Sequence, residues 1–231
     1  MSAQAPQVLQ GFSSAADGTM SIQGGWENRL LYLRQHGCDP DRVVHAGLSH
    51  GTTVAVVDET HIGTIVPETD GLITSDTGVG LAMTAADCLL VFVHDPIASR
   101  IGMVHAGRRG LAVNIITTFF DVWKTMGTPD LGSCVVTVGP SICAAHYTVS
   151  DTDAQAFAQW PQACDTRADG IHIDLRQVAR EQLLAAGIHN QQITVDPRCT
   201  YEEAELFSYR RDHPLVPQLQ VGYMMLPLSS R

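Results

Sequence analysis

Apolar positions along the chain follow two rhythms. Short runs rich in Val, Ile and Leu, bounded by Gly, Pro or Asp, recur at 53–59 (TVAVVDE), 80–84 (GLAMT), 88–95 (CLLVFVHD), 100–107 (RIGMVHAG), 134–139 (CVVTVG) and 192–196 (QITVD), with a last one at 221–228 (VGYMMLPL). Their length and flanking residues predict strands. A helical rhythm is clear twice. Leu111, Ile115, Phe119, Val122 and Met126 are spaced by four, four, three and four, which lines one face of a helix stopping at Gly127. Between Asp174 and Gly187, Leu175, Val178, Ala179 and Leu183 form an apolar face. Asp174, with Gln177 three residues on, resembles a capping box, and Gly187 suits the C-cap. Less regular helical patterns lie at 24–36 and at 151–160 after Ser150.

Strands cluster first and then alternate with helices, and several are apolar on both faces, as expected of sheet layers covered by helices. The pattern predicts an α/β fold, with α+β as the other option, in a single domain over 1–231 of layered mixed sheets. No internal repeat or domain-joining linker interrupts it, and 212–218 (DHPLVPQ) reads as a surface loop.

Composition narrows the partners. Hydrophobic residues at 45% against 16% charged residues exclude disorder as the main state. The net charge of −10, without a run of Lys or Arg, disfavours nucleic acid and anionic membranes and leaves small molecules as the expected ligands. The first residues carry no secretory pattern and the apolar stretch at 89–93 is too short to span a bilayer, so a cytoplasmic location is expected. Six cysteines without a CxxC pair are read singly, as core fillers, nucleophiles or metal ligands, rather than as a disulfide framework. Oligomeric state is not legible.

Three segments place a metal-ligand type beside a turn or strand end: Ser49-His50-Gly51, Ala86-Asp87-Cys88 and His105-Ala106-Gly107. Two imidazoles and one thiolate suit zinc or copper and leave a fourth position for water or substrate. Their separations match no local finger motif. On spacing alone the alternative stays open, in which His50 caps a turn, Cys88 fills the core and His105 hydrogen-bonds at a strand end. Arg108 and Arg109 stand at the start of the best helix, where the macrodipole disfavours cations and favours an anion, so the turn is a candidate site for a phosphate or carboxylate with at least one of the arginines as a clamp; two solvated arginines paired with surface acids are the other option. In FSYRRD (207–212), if a strand, Arg210 and Arg211 point to opposite faces and only one enters a pocket. Asp87, if within a strand, faces away from Cys88 and orients a neighbour. Cys143 with His146 is a conceivable nucleophile and base, but residues three apart need helical geometry to meet, and Cys143 is read as a core filler.

In chain order, HGTTVAVVDE, TDGLITSDTGVGLAMTAADCLLVFVHD, VHAGRRG, VGPSICAAHYTV, IDLRQVAREQLLAAGI and CTYEEAELFSYRRD resemble the successive blocks of the laccase-domain, YfiH-like family, over about 43–212. The resemblance implies a YfiH-like α/β domain with bound Zn²⁺, Cu²⁺ being the other metal. It places the metal ligands on His50, Cys88 and His105. It implies phosphorolysis of purine nucleosides (adenosine, inosine, methylthioadenosine) together with adenosine deamination. Cys88 with Arg109 and Arg210 as anion clamps then carry the chemistry, on purine nucleoside and phosphate. The chain departs from the pattern at Arg108, where a tryptophan is usual, at Leu90 in place of a proline, at Ala15 in place of an arginine and at Leu219 in place of the arginine of a Gly-Arg pair. These departures make a non-catalytic nucleoside-binding protein one rival. A laccase-like phenol oxidase and a metal-free hydrolase with Cys88 as nucleophile are the others.

Overall fold

The computed structural model describes residues 8–127 and 130–228. In chain order its strands are β1 (Leu9–Phe12), β2 (Val43–Ala46), β3 (Val54–Val56), β4 (Ile65–Val66), β5 (Gly71–Thr74), β6 (Gly80–Ala85), β7 (Leu89–Asp95), β8 (Arg100–Ala106), β9 (Val135–Val138), β10 (Thr148–Val149), β11 (Cys164–Arg167), β12 (Gly170–Ile173), β13 (Ile193–Val195) and β14 (Gln220–Met225). Its α-helices are α1 (Trp26–Gln35), α2 (Arg108–Ala112), α3 (Ile115–Thr125), α4 (Asp151–Gln155), α5 (Leu175–Ala186) and α6 (Tyr209–Asp212). A five-stranded sheet runs β1-β14-β6-β2-β4, a six-stranded sheet runs β13-β9-β7-β8-β5-β3, and β10-β12-β11 form a small third sheet. Both larger sheets are mixed, and the chain has the mixed α/β fold expected of its pattern.

Strand alternation explains the layering. Along β7, Leu89, Val91 and Val93 face the apolar sides of α3 and α5, while Leu90 and Phe92, with Met103 of the adjacent β8, face the other sheet, where they meet Leu81 and Met83 of β6. The far side of the five-stranded sheet is covered by α1, with Tyr32 and Leu33 against Ala82, Val221 and Tyr223. The order is therefore helix, sheet, sheet, helices. Being buried on both faces is why the β7 and β8 runs read as nearly continuous apolar segments.

Several expected boundaries are corrected. The helix expected over 111–126 is two helices, because Asn114 adopts the left-handed conformation (φ 62°, ψ 44°) and breaks it. The expected helix at 151–160 closes at Gln155; the chain passes into tight turns over 156–159, and Pro161 then keeps Trp160 out of helical backbone. The run at 53–59 is a strand only over Val54–Val56, since the Asp58 carboxylate accepts the Thr60 N–H at 2.9 Å and turns the chain. In α5, Asp174 caps Gln177 N at 3.0 Å, but the Gln177 amide reaches forward to Glu181 and completes no capping box. FSYRRD is not a strand. Ser208 accepts the Arg211 N–H and starts the short helix α6.

Candidate metal centre and cleft

β7 and β8 pair Leu89 with Ala106 and Leu90 with His105, so the chain entering β7 carries Cys88 alongside Gly107, where β8 has ended. A Cβ on Gly107 would lie 2.9 Å from Cys88 Sγ, 3.3 Å from His50 Cδ2 and 3.4 Å from His105 Cε1. The missing side chain is the space in which the three residues meet. The ligand atoms of His50, Cys88 and His105 all lie within 4.8 Å of one another, and the two imidazoles stand edge to face with centroids 4.8 Å apart.

Asp70, which sequence reasoning overlooked, organises this meeting. Its buried carboxylate accepts His105 Nδ1 at 2.8 Å and His50 N at 3.0 Å through Oδ1, and Ser49 Oγ and Gly51 N, both at 2.8 Å, through Oδ2. Its carbonyl accepts His105 N at 2.8 Å. Burial alone would raise the Asp70 carboxyl, but the bonds from His105, Ser49 and Gly51 outweigh it and hold it well below the usual carboxylate range. With Nδ1 committed to Asp70, the His105 ring offers Nε2 as a ligand atom, the arrangement by which carboxylates orient metal-binding histidines. A signal was present in the TDG turn at 69–71, but an Asp between Thr and Gly reads as turn chemistry.

Cys88 carries a tuned thiol. Burial opposes ionisation, yet the charge of His105 and hydrogen bonds from His105 and His50 pull the thiol down to about 6. For His105 burial again opposes charge, while Cys88 and Asp70 raise the imidazole to about 9. The pair favours a thiolate beside an imidazolium: the thiolate is the form in which cysteine binds a metal, and an ion bound here would take the place of the His105 Nε2 proton. Two imidazoles, one thiolate, an orienting carboxylate and a glycine-shaped gap among them fit a zinc or copper ion.

Two non-glycine residues here hold left-handed backbone, His50 (φ 61°) and Asp87 (φ 78°), a conformation that costs on the order of 1–3 kcal/mol and persists where the surroundings enforce it. The Asp87 carboxylate accepts Thr200 Oγ1 at 2.6 Å and Arg210 N at 2.7 Å, and its carbonyl accepts Ile142 N at 3.1 Å. Asp87 lies in the β6–β7 connection rather than in a strand. As expected, it orients neighbours.

The three ligand-type residues open onto a cleft of about 840 Å³, whose wall includes Arg108, Arg109, Tyr147, Arg210 and Leu219. Arg108 pairs with Asp153 at the start of α4. Arg109 is exposed and makes no ion pair among the described residues. Arg210 lies over the Tyr147 ring, 4.8 Å from its centroid, and donates to Thr148 O at 2.9 Å. Arg211 turns inward and caps the carbonyls of Thr200, Glu203 and Leu206. One arginine of the pair thus reaches the cleft, from a helix rather than a strand. Of the other departures, Leu90 lies in the core between the sheets, whereas Leu219 is on the cleft wall.

Cys143 and His146 do meet, Sγ to Nδ1 at 3.3 Å, because the tight 3₁₀ turn at Ala144–His146 brings residues three apart together without an α-helix. Burial and the neighbouring Cys199 raise the Cys143 thiol to about 11, the opposite of an activated nucleophile. No described helix is long and apolar enough to cross a membrane.

Residues 17–225 match the family described as multi-copper polyphenol oxidoreductase laccase. A purine nucleoside phosphorylase of Streptomyces coelicolor is 34% identical over 187 residues, 80% of this chain and 76% of that protein. One of Corynebacterium glutamicum is 34% identical over 194 residues, 83% of this chain and 77% of the relative. The crystal structure of YlmD from Geobacillus stearothermophilus matches with a TM-score of 0.89 at 28% identity, covering 96% of this chain and 92% of that one. The hypothetical protein YfiH of Bacillus licheniformis matches with a TM-score of 0.88 at 27% identity, covering 95% and 93%.

Proposed function

Because the chain belongs to the multi-copper polyphenol oxidoreductase laccase family, and relatives at this similarity are named purine nucleoside phosphorylases, we propose that it is a metal-dependent purine nucleoside phosphorylase that also deaminates adenosine. Adenosine, inosine and methylthioadenosine are its substrates. The observation that carries the reading is the convergence of His50, Cys88 and His105 at the cleft, within 4.8 Å of one another and braced by Asp70.

These three residues hold the metal, Zn²⁺ in preference to Cu²⁺, and the ion supplies Lewis acidity at that edge of the cleft. Phosphorolysis also needs a site for an anion. In a protein of net charge −10, the guanidinium groups of Arg109 and Arg210 face the cleft without a carboxylate partner among the described residues, while that of Arg108 is neutralised by Asp153. Arg109 and Arg210 therefore clamp inorganic phosphate, one oxygen of which bonds to ribose C1′ as the bond from C1′ to the purine nitrogen breaks. The purine leaves with the electron pair and takes up a proton. Arg210 is fixed for this task at both ends, by Asp87 at its amide and by Thr148 and Tyr147 at its side chain. A cleft of this volume lies in the range that holds a small ligand.

The phenol-oxidase reading fits poorly, because a complete multicopper site needs many histidines in close HxH patterns and the sequence has none. A metal-free thiol hydrolase is favoured by one observation, the lowered Cys88 thiol beside His105. Metal analysis separates the two. The function itself is tested by incubating folded, metal-loaded protein with adenosine, inosine and methylthioadenosine, with and without phosphate. Phosphate-dependent ribose 1-phosphate and phosphate-independent inosine are expected; neither product would leave a nucleoside-binding protein.

A further inference from the structure

A second group of ligand-type side chains gathers away from the cleft. Cys143, His146, Cys199 and Glu202 present ligand atoms that all lie within 4.8 Å of one another, and none of the four lines the cleft. They come as two pairs of equal spacing, Cys143-x-x-His146 and Cys199-x-x-Glu202. Each pair is presented by one tight turn, with His146 N donating to Cys143 O and Glu202 N to Cys199 O, both at 3.1 Å. A parallel bridge between Ser141 and Cys199 sets the turns side by side. Arg176 of α5 clasps both, donating to Ser141 O at 2.7 Å and Pro197 O at 3.1 Å.

The distances among Cys143, His146 and Glu202 match three edges of a tetrahedron, and Cys199 Sγ lies within 4.8 Å of all three. Zinc bonds of about 2.3 Å to sulfur and about 2.0–2.2 Å to nitrogen or oxygen place tetrahedral donors roughly 3.3–3.8 Å apart. Cys143 Sγ lies 3.3 Å from His146 Nδ1 and 3.8 Å from Glu202 Oε1, and His146 Nδ1 lies 3.3 Å from Glu202 Oε1. Cys199 Sγ accepts the Cys143 N–H at 3.2 Å, which ties the two turns together at the donor atoms. The His146 ring is held in plane by stacking on Tyr201, with centroids 4.3 Å apart and 14° between planes.

We propose that Cys143, His146, Cys199 and Glu202 form a second metal site, a closed four-ligand zinc site with a structural role. Four protein donors leave no position for substrate, which marks the site as structural. Binding displaces the two thiol protons to solvent and changes no oxidation state. The ion fastens the loops carrying Ile142 and Thr200, which grip Asp87 by its carbonyl and, beside the Arg210 amide, by its carboxylate. It thereby braces the turn that presents Cys88. The site does not depend on the activity proposed for the cleft.

The test is a zinc count on the full chain, purified reduced from zinc-supplemented culture and washed with a weak chelator. Wild type is expected to hold close to two zinc ions, the Cys143→Ser/His146→Ala variant one, Cys88→Ala one, and the combined variant none. A wild-type count of one that is kept in Cys88→Ala and lost in Cys143→Ser/His146→Ala upholds this site and overturns the cleft metal. A count unchanged by Cys143→Ser/His146→Ala overturns this site and leaves the cleft metal standing. A readout without variants is alkylation of the wild type by iodoacetamide, mapped by mass spectrometry. Cys143 is expected to react only after a strong chelator removes zinc; equal labelling before and after, or isolation of a Cys143–Cys199 disulfide from reduced preparations, overturns the proposal.

Discussion

His105 Nδ1 donates to Asp70 Oδ1 at 2.8 Å while the amide of His50 donates to the same oxygen at 3.0 Å, so one buried carboxylate sets both imidazole-bearing segments. Asp70→Asn keeps the shape but puts an NH₂ group where only donors approach. Metal affinity at the cleft should fall by about 10–100-fold, the usual effect of losing an orienting partner, and the melting temperature should drop as buried donors lose their acceptor. Competition with a chromophoric chelator measures the first and calorimetry the second. An unchanged affinity would mean that His105 needs no orientation from Asp70.

The gap at Gly107 gives a sharper perturbation than any ligand change. In Gly107→Ala the new Cβ would meet Cys88 Sγ at 2.9 Å, closer than such contacts are found, while φ at this position is −77° and suits alanine. The variant should fold with a melting temperature within a few degrees of wild type and lose both cleft metal and turnover. Cys88→Ala should show the same pairing of losses. Turnover that survives in either variant would detach the chemistry from this trio.

The parts of the fold legible in the sequence are those where one interaction dominates. β7 and β8 lie between two apolar layers, so their runs announce themselves, and α5 carries both its cap and its stop signal. β1, β2, β4, β5 and the sheet of β10, β11 and β12 were not expected. They are short, and segments such as Cys164–Arg167, at the edge of the small sheet, are mostly polar. The break at Asn114 is a backbone choice made by packing α2 and α3 separately. In the site, His50, Cys88 and His105 could be proposed by ligand type and resemblance. Asp70 could not, because its role rests on five donors arriving from two remote segments.

Arg109 and Arg210 make separable predictions about phosphate. Removing one charge-assisted contact of about 1.5 kcal/mol or more should raise the KM for phosphate roughly tenfold or more in Arg109→Ala, with the nucleoside KM little changed. Arg210→Ala retains the amide that holds Asp87, so the frame survives while the guanidinium is lost. It should weaken phosphate saturation likewise and, by uncovering Tyr147, alter nucleoside binding as well. Steady-state kinetics at varied phosphate decide the matter; an unchanged phosphate dependence in both variants would place the anion elsewhere.

Acid stability should be governed in part by a buried pair that does not itself line the cleft. His45 is buried, lies against Trp26 at a tilt of 57° with centroids 4.7 Å apart, and has Nδ1 3.3 Å from Arg29 Nη1, so its ring accepts from a cation and must be neutral. Burial first, and then the Arg29 charge, lower the imidazole to about 3. In the unfolded chain it protonates near its ordinary value of about 6.5. Between these values the unfolded state binds the extra proton. Stability is therefore fully present above about pH 6.5 and falls as pH drops toward 3, by at most about 1.4 kcal/mol per pH unit from this residue. His45→Gln keeps an acceptor for Arg29 and removes the titration. Urea unfolding at pH 7, 6, 5 and 4 should show a shallower decline for the variant than for wild type. Parallel declines would mean that His45 is not the group whose protonation opposes the fold.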